Sequence, residues 1–314
     1  MVNFIKKQSL DYVPVVSPSN SAEKPEAWLS NSRSACERLL HDYGAVLLRG
    51  FDIHALSEFN RFALAYSPNL LEYTNRSTPR TKLGGHVYTS TEYPKERVIP
   101  QHSENSYTNH WPSALLFFSV LVAETGGETP LARTDHILQQ LDKSLVERFE
   151  RHNLLYVRNY HPHIDLSWQE VFQTEEKSEV EQFCHNNHIE YEWLKDGQQL
   201  RTRQCVQSTI VHPKTGEKVW FNQANLFHAS AIGEQDNALL IEALGEENLP
   251  RQVYFGNGEP ISPDDIAEIN RVIEAEKCAF PWQKSDLLIV DNLLMTHGRH
   301  AYTGNRKVVV AMVA

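Results

Sequence analysis

The sequence predicts a mainly β protein, a sandwich or barrel of strands that carries helical insertions. Residues 88–122 are rich in Tyr, Thr, Val and Phe, which favour strands, and strand patterns return over 285–314. Between these regions the apolar residues recur at helical spacing. The chain has no internal repeat and no linker, so we expect residues 1–314 to form one domain, with a helical insertion at about 132–205.

The amino-terminal elements mix helix and strand. Apolar residues recur at helical spacing over 31–43 and stop at Gly44, after which AVLLRGF is typical of a buried strand and ALSEFNRFALAY of a second helix. The clearest strand in the chain is ALLFFSVLV. Its unbroken apolar character predicts that it is covered on both faces.

The carboxyl-terminal half contains the best-marked helix start. Ser262 is placed to cap the helix, Pro263 suits its first turn and Asp265 completes a capping box. Before it, STIVHP and EKVWFNQ predict two strands around a turn. The end of the chain predicts a strand, a turn and a second strand, followed by a hairpin through Thr303, Gly304 and Asn305 into a final strand.

Composition excludes several classes of function. The chain has 30 Lys and Arg against 40 Asp and Glu, a net charge of -10 that repels nucleic acid and anionic membranes. The four cysteines lie far apart without a Cys-x-x-Cys pair, which favours reduced thiols and a cytoplasmic location. The amino terminus lacks a signal-peptide pattern and the longest apolar stretch is too short for a bilayer, so no membrane partner is expected.

A His-x-acid motif, which can supply a metal with an imidazole and a carboxylate, occurs three times. The matches are His102-Ser-Glu104, His163-Ile-Asp165 and His188-Ile-Glu190. Only the first lies in a strand-like segment, where residues two apart project the same way and can chelate one ion. For the other two, which lie in a loop and at a helix end, a structural role is the better interpretation.

A second histidine and an arginine near the carboxyl terminus complete the candidate site. A mononuclear oxygenase iron takes two imidazoles and one carboxylate on one face of the metal. His297 is placed to supply the second imidazole, and Arg306, nine residues later, can reach the same cavity. An arginine inside a barrel mouth needs an anion, which is either the distal carboxylate of 2-oxoglutarate or a neighbouring Asp or Glu.

Five segments then resemble a known family in their order along the chain: IPQHSENSY, GGETPLA, VWFNQANLFH, PWQKSDLLIVDN and HGRHAYTGNRKVVVAM. They resemble the TauD/TfdA superfamily of Fe(II)- and 2-oxoglutarate-dependent oxygenases, most closely its SyrP-like branch. The resemblance implies a distorted double-stranded β-helix, a cupin-like jelly roll. It also implies that His102, Glu104 and His297 bind iron, and that Thr129 and Arg306 bind 2-oxoglutarate.

Two residues depart from the commonest pattern of that superfamily. The carboxylate ligand is Glu104 where many members have Asp, and Ser103 stands where close relatives often carry Asn. The first is normal for this branch, whereas the second puts a contact behind the ligands in doubt. Glu104 fills the position that related halogenases leave to a small residue, which favours oxygen transfer.

The resemblance implies a reaction more firmly than a substrate. We expect hydroxylation of an unactivated C–H bond in an amino-acid-derived small molecule, free or tethered to a peptidyl carrier protein, in specialised metabolite biosynthesis. Desaturation or epoxidation with the same cofactors is the alternative, and the subunit count, including a homo-oligomer, stays open. The polar residues nearest the motifs are the candidate substrate contacts: Ser90, Asn105, Tyr107, Asn222, Gln223 and Arg299.

Two rival interpretations use the same residues differently. One is a non-catalytic binding protein that keeps the fold, which the presence of all five expected site residues opposes. The other is a zinc hydrolase, because two histidines and a glutamate also suit zinc with a bound water. Thr129 and Arg306 have no evident purpose in such a hydrolase.

Overall fold

The computed structural model describes residues 2–72, 80–91, 93–161, 164–195 and 197–314. In chain order its strands are β1 Val2–Lys7, β2 Leu10–Val16, β3 Ala45–Leu48, β4 Lys82–Gly84, β5 Val87–Thr89, β6 Ile99–His102, β7 Ala114–Leu121, β8 Thr125–Gly126, β9 Leu131–Arg133, β10 Leu154–Tyr160, β11 Glu190–Leu194, β12 Gln199–Val206, β13 Thr209–Val211, β14 Lys218–Trp220, β15 Arg251–Phe255, β16 Leu287–Asp291, β17 Met295–Arg299, β18 Tyr302–Thr303 and β19 Lys307–Val313. The α-helices are α1 Pro25–Tyr43, α2 Leu56–Tyr66, α3 Thr134–Gln140, α4 Lys143–His152, α5 Trp168–Phe172, α6 Lys177–Asn186, α7 Ala224–Phe227, α8 Glu234–Leu244 and α9 Pro263–Glu276.

Two facing sheets form the core of the molecule. The larger has the order β1-β2-β3-β16-β7-β19-β5-β4, and the smaller has the order β6-β17-β9. Apolar side chains of both sheets share one core cluster, in which Phe117 and Val310 of the larger sheet meet Leu131 and Met295 of the smaller. This is the jelly roll that the family resemblance implied.

The outer face of the larger sheet is covered by the first two helices. Phe59 and Phe62 of α2 are fully buried against it, and the Phe59 ring stacks on Phe118 of β7 with centroids 5.4 Å apart. Burying each such side chain stabilises the fold by roughly 1.5–3 kcal/mol. β7 is therefore apolar on both faces, as its sequence predicted, and α1 ends at Gly44 with φ of 74°.

The residues inserted at 132–205 contain more strand than the sequence indicated. They hold helices α3 to α6, but also β10, β11 and most of β12, which continue with β15 into a separate sheet of order β11-β12-β10-β15. The sequence pattern did not indicate these strands, because polar residues such as Arg158 and Thr202 interrupt their apolar faces. This second sheet packs toward the metal-ligand candidates through Tyr156, whose ring meets Tyr107.

The predicted hairpin through Thr303 and Gly304 is wrong. β17 lies in the smaller sheet, whereas β19 pairs with β7 and β5 in the larger, so the chain crosses between sheets rather than folding back on itself. The short β18 pairs instead with β8. Because of this crossover, His297 and Arg306 approach one cavity from two different sheets.

The start of α9 and the strand pair β13-β14 are confirmed, but Asp265 pairs its carboxylate with Arg148 instead of completing the predicted capping box. The Ser262 hydroxyl accepts a hydrogen bond from the Asp265 amide at the start of α9, and β13 pairs with β14 around the turn at 213–216. None of the helices in the described part of the chain combines the length and apolarity that crossing a bilayer needs. The four cysteines are free thiols, and three of them are buried.

Candidate active site

The two histidines of the candidate metal site face each other across paired strands. His102 is the last residue of β6 and His297 lies in β17, and the antiparallel register places them directly opposite each other. Their ring centroids are 4.4 Å apart. Directly paired residues project from the same face of a sheet, so both imidazoles enter the same cavity.

Glu104 reaches the histidines from a turn and not from the strand. β6 ends at His102, and Asn105 adopts a left-handed φ of 56° that turns the chain away. The buried Asn292 holds the turn, because its Oδ1 accepts from the Glu104 amide at 2.7 Å and its Nδ2 donates to the Glu104 carbonyl at 3.0 Å. The prediction that both motif residues lie on one strand is therefore wrong for Glu104.

Ligand atoms of His102, Glu104 and His297 all lie within 4.8 Å of one another. The Nε2 atom of His297 is 3.8 Å from Oε2 of Glu104. His102 donates from Nδ1 to the Pro100 carbonyl at 2.8 Å, which fixes its tautomer and leaves Nε2 unprotonated. Two imidazoles and one carboxylate in this arrangement fit a ferrous ion.

Both imidazoles are held in the neutral form that binds metals. Burial lowers the pKa of His102, although Glu104 opposes that shift. Burial, and then the nearby His102 and Arg80, lower the pKa of His297 well below its ordinary value. Because a protonated imidazole cannot coordinate a metal, the site is ready for an ion at neutral pH.

Arg80 is a part of this site that sequence reasoning missed. Its Nη2 donates to Oε2 of Glu104 at 2.6 Å, and both side chains are almost fully buried. The ion pair compensates the charge of Glu104, which would otherwise be costly to bury. No local motif marks Arg80, which is 24 positions before its partner.

The other end of the cavity is built to receive an anion. Arg306 donates from Nε to the Gly127 carbonyl at 2.7 Å, and its Nη2 lies 3.5 Å from the Thr129 hydroxyl. Burial, and after it the charge of Arg299, lower the pKa of Arg306 to about 10. The guanidinium therefore keeps its charge at neutral pH, and a buried charge of this kind needs a counter-ion.

Thr129 completes that end with a directed hydroxyl. Its oxygen accepts from Nε1 of Trp282 at 3.2 Å and faces Nη2 of Arg306 as well. Because donors occupy the oxygen, its own hydrogen is left to donate to a further acceptor. Trp282 was also missed, although it lies in the PWQK segment that the sequence singled out.

The metal and anion ends belong to one cavity. Besides both histidines, Thr129 and Arg306, it is lined by Arg80, Ser90, Thr91, Ile99, Phe117, Gly298, Arg299 and Val308. A small dianion that chelates a metal at one end and carries a second carboxylate at the other matches this arrangement.

Comparisons with known proteins show the family of this chain. Residues 14–312 match the model of the family described as taurine catabolism dioxygenase TauD, TfdA family. The chain belongs to the TauD/TfdA family. It is therefore an Fe(II)- and 2-oxoglutarate-dependent dioxygenase.

Two relatives cover most of this family member. The dapdiamide synthesis protein DdaC of Enterobacter agglomerans is 38% identical over 302 residues, 96% of this chain and 91% of its own. A clavaminate synthase-like protein of Arabidopsis thaliana is 32% identical over 286 residues, 88% of this chain and 83% of its own.

Solved structures share the fold at low identity. The structure of PvcB, an Fe, alpha-ketoglutarate dependent oxygenase from an isonitrile synthetic pathway, matches with a TM-score of 0.54 at 16% identity. The match covers 96% of this chain and 85% of that one. AAD-2 in complex with Mn(II) and N-oxalylglycine matches with a TM-score of 0.53 at 15% identity, covering 100% and 96% of the two chains.

Two of the predicted substrate residues line the cavity of this dioxygenase. Ser90 lies at its wall and its amide donates to the Val308 carbonyl. Arg299 is buried there too, but its guanidinium donates to the carbonyls of Tyr93, Pro94 and Arg97. Arg299 thus fixes the segment before β6.

The other four predicted residues lie away from that cavity's lining. Asn105 and Tyr107 border two further cavities beside the insertion, and the Tyr107 hydroxyl donates to Asn105 at 3.4 Å. Asn222 donates to the Ser208 carbonyl and accepts from the Ala224 amide, so both ends of its amide are used. Gln223 donates to the Ser103 carbonyl at 2.7 Å and so supports the ligand turn.

The rival His-x-acid motifs do not form metal sites in the described ranges. His188 lies in a turn with φ of 54°, and Glu190 is an exposed residue of β11. Asp165 instead accepts two hydrogen bonds from Arg251, at 2.7 and 2.9 Å, while His163 lies outside the described residues. Within the part of the chain that the structure describes, three such groups converge only at His102, Glu104 and His297.

Proposed function

We propose that His102, Glu104 and His297 bind the ferrous ion of this dioxygenase, and that Thr129 and Arg306 bind 2-oxoglutarate. One observation carries the proposal: two histidines that are held neutral beside a carboxylate, and a buried arginine beside a hydroxyl, converge on one cavity. A metal chelator that carries a second carboxylate would engage both groups. Ferrous iron supplies dioxygen activation there, coupled to conversion of 2-oxoglutarate into succinate and carbon dioxide.

The remaining residues position these groups and keep water out. Arg306 pairs with the distal carboxylate, and the Thr129 hydroxyl donates its hydrogen to that same group. Arg80 compensates Glu104, and Asn292 fixes the backbone that carries it. Phe117 packs its ring 5.4 Å from that of His297 and forms an apolar wall at the metal end of the cavity.

The substrate of this proposal is an amino-acid-derived small molecule. DdaC is a dapdiamide synthesis protein and PvcB belongs to an isonitrile synthetic pathway, which supports a role in specialised metabolism. We propose hydroxylation of an unactivated C–H bond, with desaturation or epoxidation as the alternative outcome. The proposal further holds that residues 1–314 act as one domain in the cytoplasm and that the substrate arrives free or on a carrier protein.

The zinc hydrolase interpretation uses the same three ligands but gives no role to Arg306 and Thr129. A hydrolytic zinc needs only its bound water and a substrate carbonyl. Arg306 and Thr129 are buried beside each other with an oriented hydroxyl, an arrangement that costs stability unless an anion binds. This observation favours the 2-oxoglutarate assignment.

Anaerobic titration tests the assignment of both ends. Iron(II) and then 2-oxoglutarate are added to the protein, and the visible charge-transfer band of the chelate is recorded. We expect the band in the wild type, its loss in His297→Ala, and an increase of at least about 10-fold in the 2-oxoglutarate concentration that Arg306→Ala requires. The exposed Arg271→Ala serves as control. An unchanged requirement in Arg306→Ala would place the anion elsewhere.

Mass spectrometry of the product tests the reaction type. Candidate amino acids, free and loaded on a carrier protein, are incubated with the enzyme, iron(II) and 2-oxoglutarate in air. Hydroxylation and epoxidation add one oxygen atom to the substrate, and a saturated substrate distinguishes them because it cannot be epoxidised. Loss of two hydrogen atoms without oxygen gain would show desaturation instead.

A further inference from the structure

Arg299 brings a second buried arginine to the cavity that contains Arg306. It is 5% exposed and lines that cavity. Its two Nη atoms donate to the carbonyls of Tyr93, Pro94 and Arg97 at 2.6 to 3.0 Å. Its Nε, in contrast, has no acceptor among the described residues. A buried N–H without an acceptor is costly, so a bound group that accepts from Nε would stabilise this arrangement.

The ring of Tyr302 lies next to the guanidinium groups of both arginines. The central carbon of the guanidinium is 5.0 Å from the ring centroid for Arg299 and 5.8 Å for Arg306. Distances of this size are typical of the attraction between a cation and an aromatic ring. The ring therefore stabilises two like charges that would otherwise repel each other in the same cavity.

Hydrogen bonds to the backbone hold the ring and both guanidinium groups in place. The Tyr302 amide donates to the Lys95 carbonyl at 2.9 Å, in the same segment that the guanidinium of Arg299 binds. The strand of Tyr302, β18, pairs with β8. Directly after β8, the Gly127 carbonyl accepts from Nε of Arg306 at 2.7 Å. The three side chains therefore need little rearrangement to receive a ligand.

Within the described ranges, neither Arg299 nor Arg306 hydrogen-bonds to a carboxylate. Burial lowers the pKa of Arg299, and burial followed by the charge of Arg299 lowers the pKa of Arg306. Glu96 opposes the first shift and Glu128 the second, in both cases through charge without a hydrogen bond. Glu128 instead lies 3.0 Å from Nδ1 of His300. A bound carboxylate is the counter-ion that two buried arginines in one cavity favour.

We propose, resting on the function proposed above, that Arg299 is a second binding residue for the distal carboxylate of 2-oxoglutarate and that Tyr302 positions the two arginines. Nε of Arg299 donates to the same carboxylate that Arg306 and Thr129 bind. A 2-oxo acid with one carboxylate would leave both guanidinium charges without a counter-ion. The two arginines therefore make the site specific for a dicarboxylic 2-oxo acid.

Two 2-oxo acids distinguish a role at the distal carboxylate from a structural role. 2-Oxopentanoate has a methyl group where 2-oxoglutarate has its distal carboxylate, and both acids can chelate iron(II) through the keto acid. The measurement is the concentration of each acid that half-saturates the visible charge-transfer band with iron(II) in the absence of air. The ratio of these two concentrations, 2-oxopentanoate over 2-oxoglutarate, reports what the distal carboxylate contributes. Structural damage weakens both acids and leaves the ratio unchanged.

We expect Arg299→Gln to reduce this ratio at least about 10-fold, because it weakens 2-oxoglutarate and leaves 2-oxopentanoate nearly unaffected. The control is Arg33→Gln, since the guanidinium of Arg33 likewise donates to two backbone carbonyls, those of Ala65 and Tyr66. We expect the control to keep the wild-type ratio. An unchanged ratio in Arg299→Gln would overturn the proposal even if both acids bind more weakly, because Arg299 would then only support the segment 93–97.

A pair of substitutions tests the positioning role of Tyr302. Tyr302→Phe keeps the ring and is expected to keep the wild-type ratio. Tyr302→Leu removes the ring and is expected to reduce the ratio about 3-fold or more. Equal ratios in the two variants would contradict the positioning role. If Arg299→Gln forms no band with either acid, the Tyr302 pair decides the proposal.

Arg306→Ala separates this inference from the function on which it rests. If Arg306→Ala reduces the ratio and Arg299→Gln does not, the cosubstrate assignment stands and the second binding residue is wrong. Absence of the visible band in the wild type would instead defeat the proposed function itself.

Discussion

At the scale of single residues, the anion end depends on a glycine as much as on the arginine it holds. Gly127 has φ of 75°, and a Cβ atom there would lie 2.9 Å from Cδ of Arg306. Its carbonyl is also the acceptor for Nε of Arg306. Residues with a side chain rarely adopt this backbone conformation. Glycine at position 127 therefore permits both the turn and the close approach of the Arg306 guanidinium.

Gly127→Ala is expected to weaken 2-oxoglutarate binding while leaving metal binding nearly intact, because the added methyl group displaces Arg306. The measurement is the 2-oxoglutarate concentration needed to form the visible band with iron(II). Gly216→Ala is a matched control, since Gly216 has a similar φ of 74° but no atom within 4 Å of its Cβ position. Equal effects of both substitutions would assign the loss to backbone strain alone.

Site residues that belong to motifs could be predicted from the sequence. Site residues whose partners lie far away along the chain could not. His102, Glu104, His297 and Arg306 were named because the donor types and the family segments marked them. Arg80 was not, because nothing local distinguishes an arginine that pairs with a carboxylate from one that faces water. Asn292 and Trp282 were not predicted either, because their partners lie on other elements.

At the scale of elements, the metal-ligand candidates depend on how closely β6 and β17 approach each other. Gly298 follows His297 at a register shift between these strands. A Cβ atom at Gly298 would lie 2.6 Å from the Ile99 carbonyl oxygen, a collision that the backbone must relieve. The pairing of His102 with His297 therefore requires glycine at this position.

Gly298→Ala is expected to separate the two strands and to weaken manganese(II) binding about 10-fold or more, as loss of support behind metal ligands commonly does. Electron paramagnetic resonance of free manganese(II) measures the affinity without turnover. Gly256→Ala is the control, because a Cβ atom there meets the His152 carbonyl oxygen at 2.3 Å, after the end of β15 and outside the β6-β17 pair. Unchanged affinity in Gly298→Ala would show that the strand pair tolerates the methyl group.

Local patterns predicted elements well where each residue is constrained by its own neighbours in sequence. α9 starts where Ser262 and Pro263 predicted, and β7 is buried on both faces as its apolar run required. The turn at Glu104 and the crossover after β17 were mistaken for a strand and a hairpin. Both are decided by distant contacts, Asn292 in the first case and pairing of β19 with β7 in the second.

At the scale of the whole molecule, a buried carboxylate joins the amino-terminal hairpin to the end of α9. Glu276 accepts from Lys7 at 2.7 Å and from Tyr12 at 2.8 Å, and it lies 2.9 Å from Nδ1 of His136. Burial alone would raise the pKa of Glu276, but the hydrogen bonds from His136, Lys7 and Tyr12 lower it to about 2. Glu276 therefore stabilises the fold as a carboxylate.

Glu276→Gln is expected to lower the free energy of unfolding by about 3 kcal/mol at neutral pH. Since the folded pKa is below the ordinary 4.5, the contribution is complete above that pH and is lost as the pH falls toward 2. Urea unfolding across this range measures it, with the exposed Glu274→Gln as control. A difference between wild type and Glu276→Gln that stays constant with pH would contradict this role.

The fold class was predictable from both ends of the chain, where apolar strands dominate, but the inserted sheet was not. Its strands carry the buried polar side chains of Arg158, Thr202 and Gln204, so the apolar alternation that reveals a strand is broken there.

The central claim is that the cavity between His297 and Arg306 binds iron and 2-oxoglutarate and directs dioxygen to them. Incubation with iron(II) and 2-oxoglutarate under oxygen-18 gas, followed by mass spectrometry of succinate, tests it most directly. We expect succinate that carries one labelled oxygen atom, at a rate that falls in Arg306→Ala and is abolished in His297→Ala. Unlabelled succinate, or labelled succinate formed equally well by both variants, would contradict it.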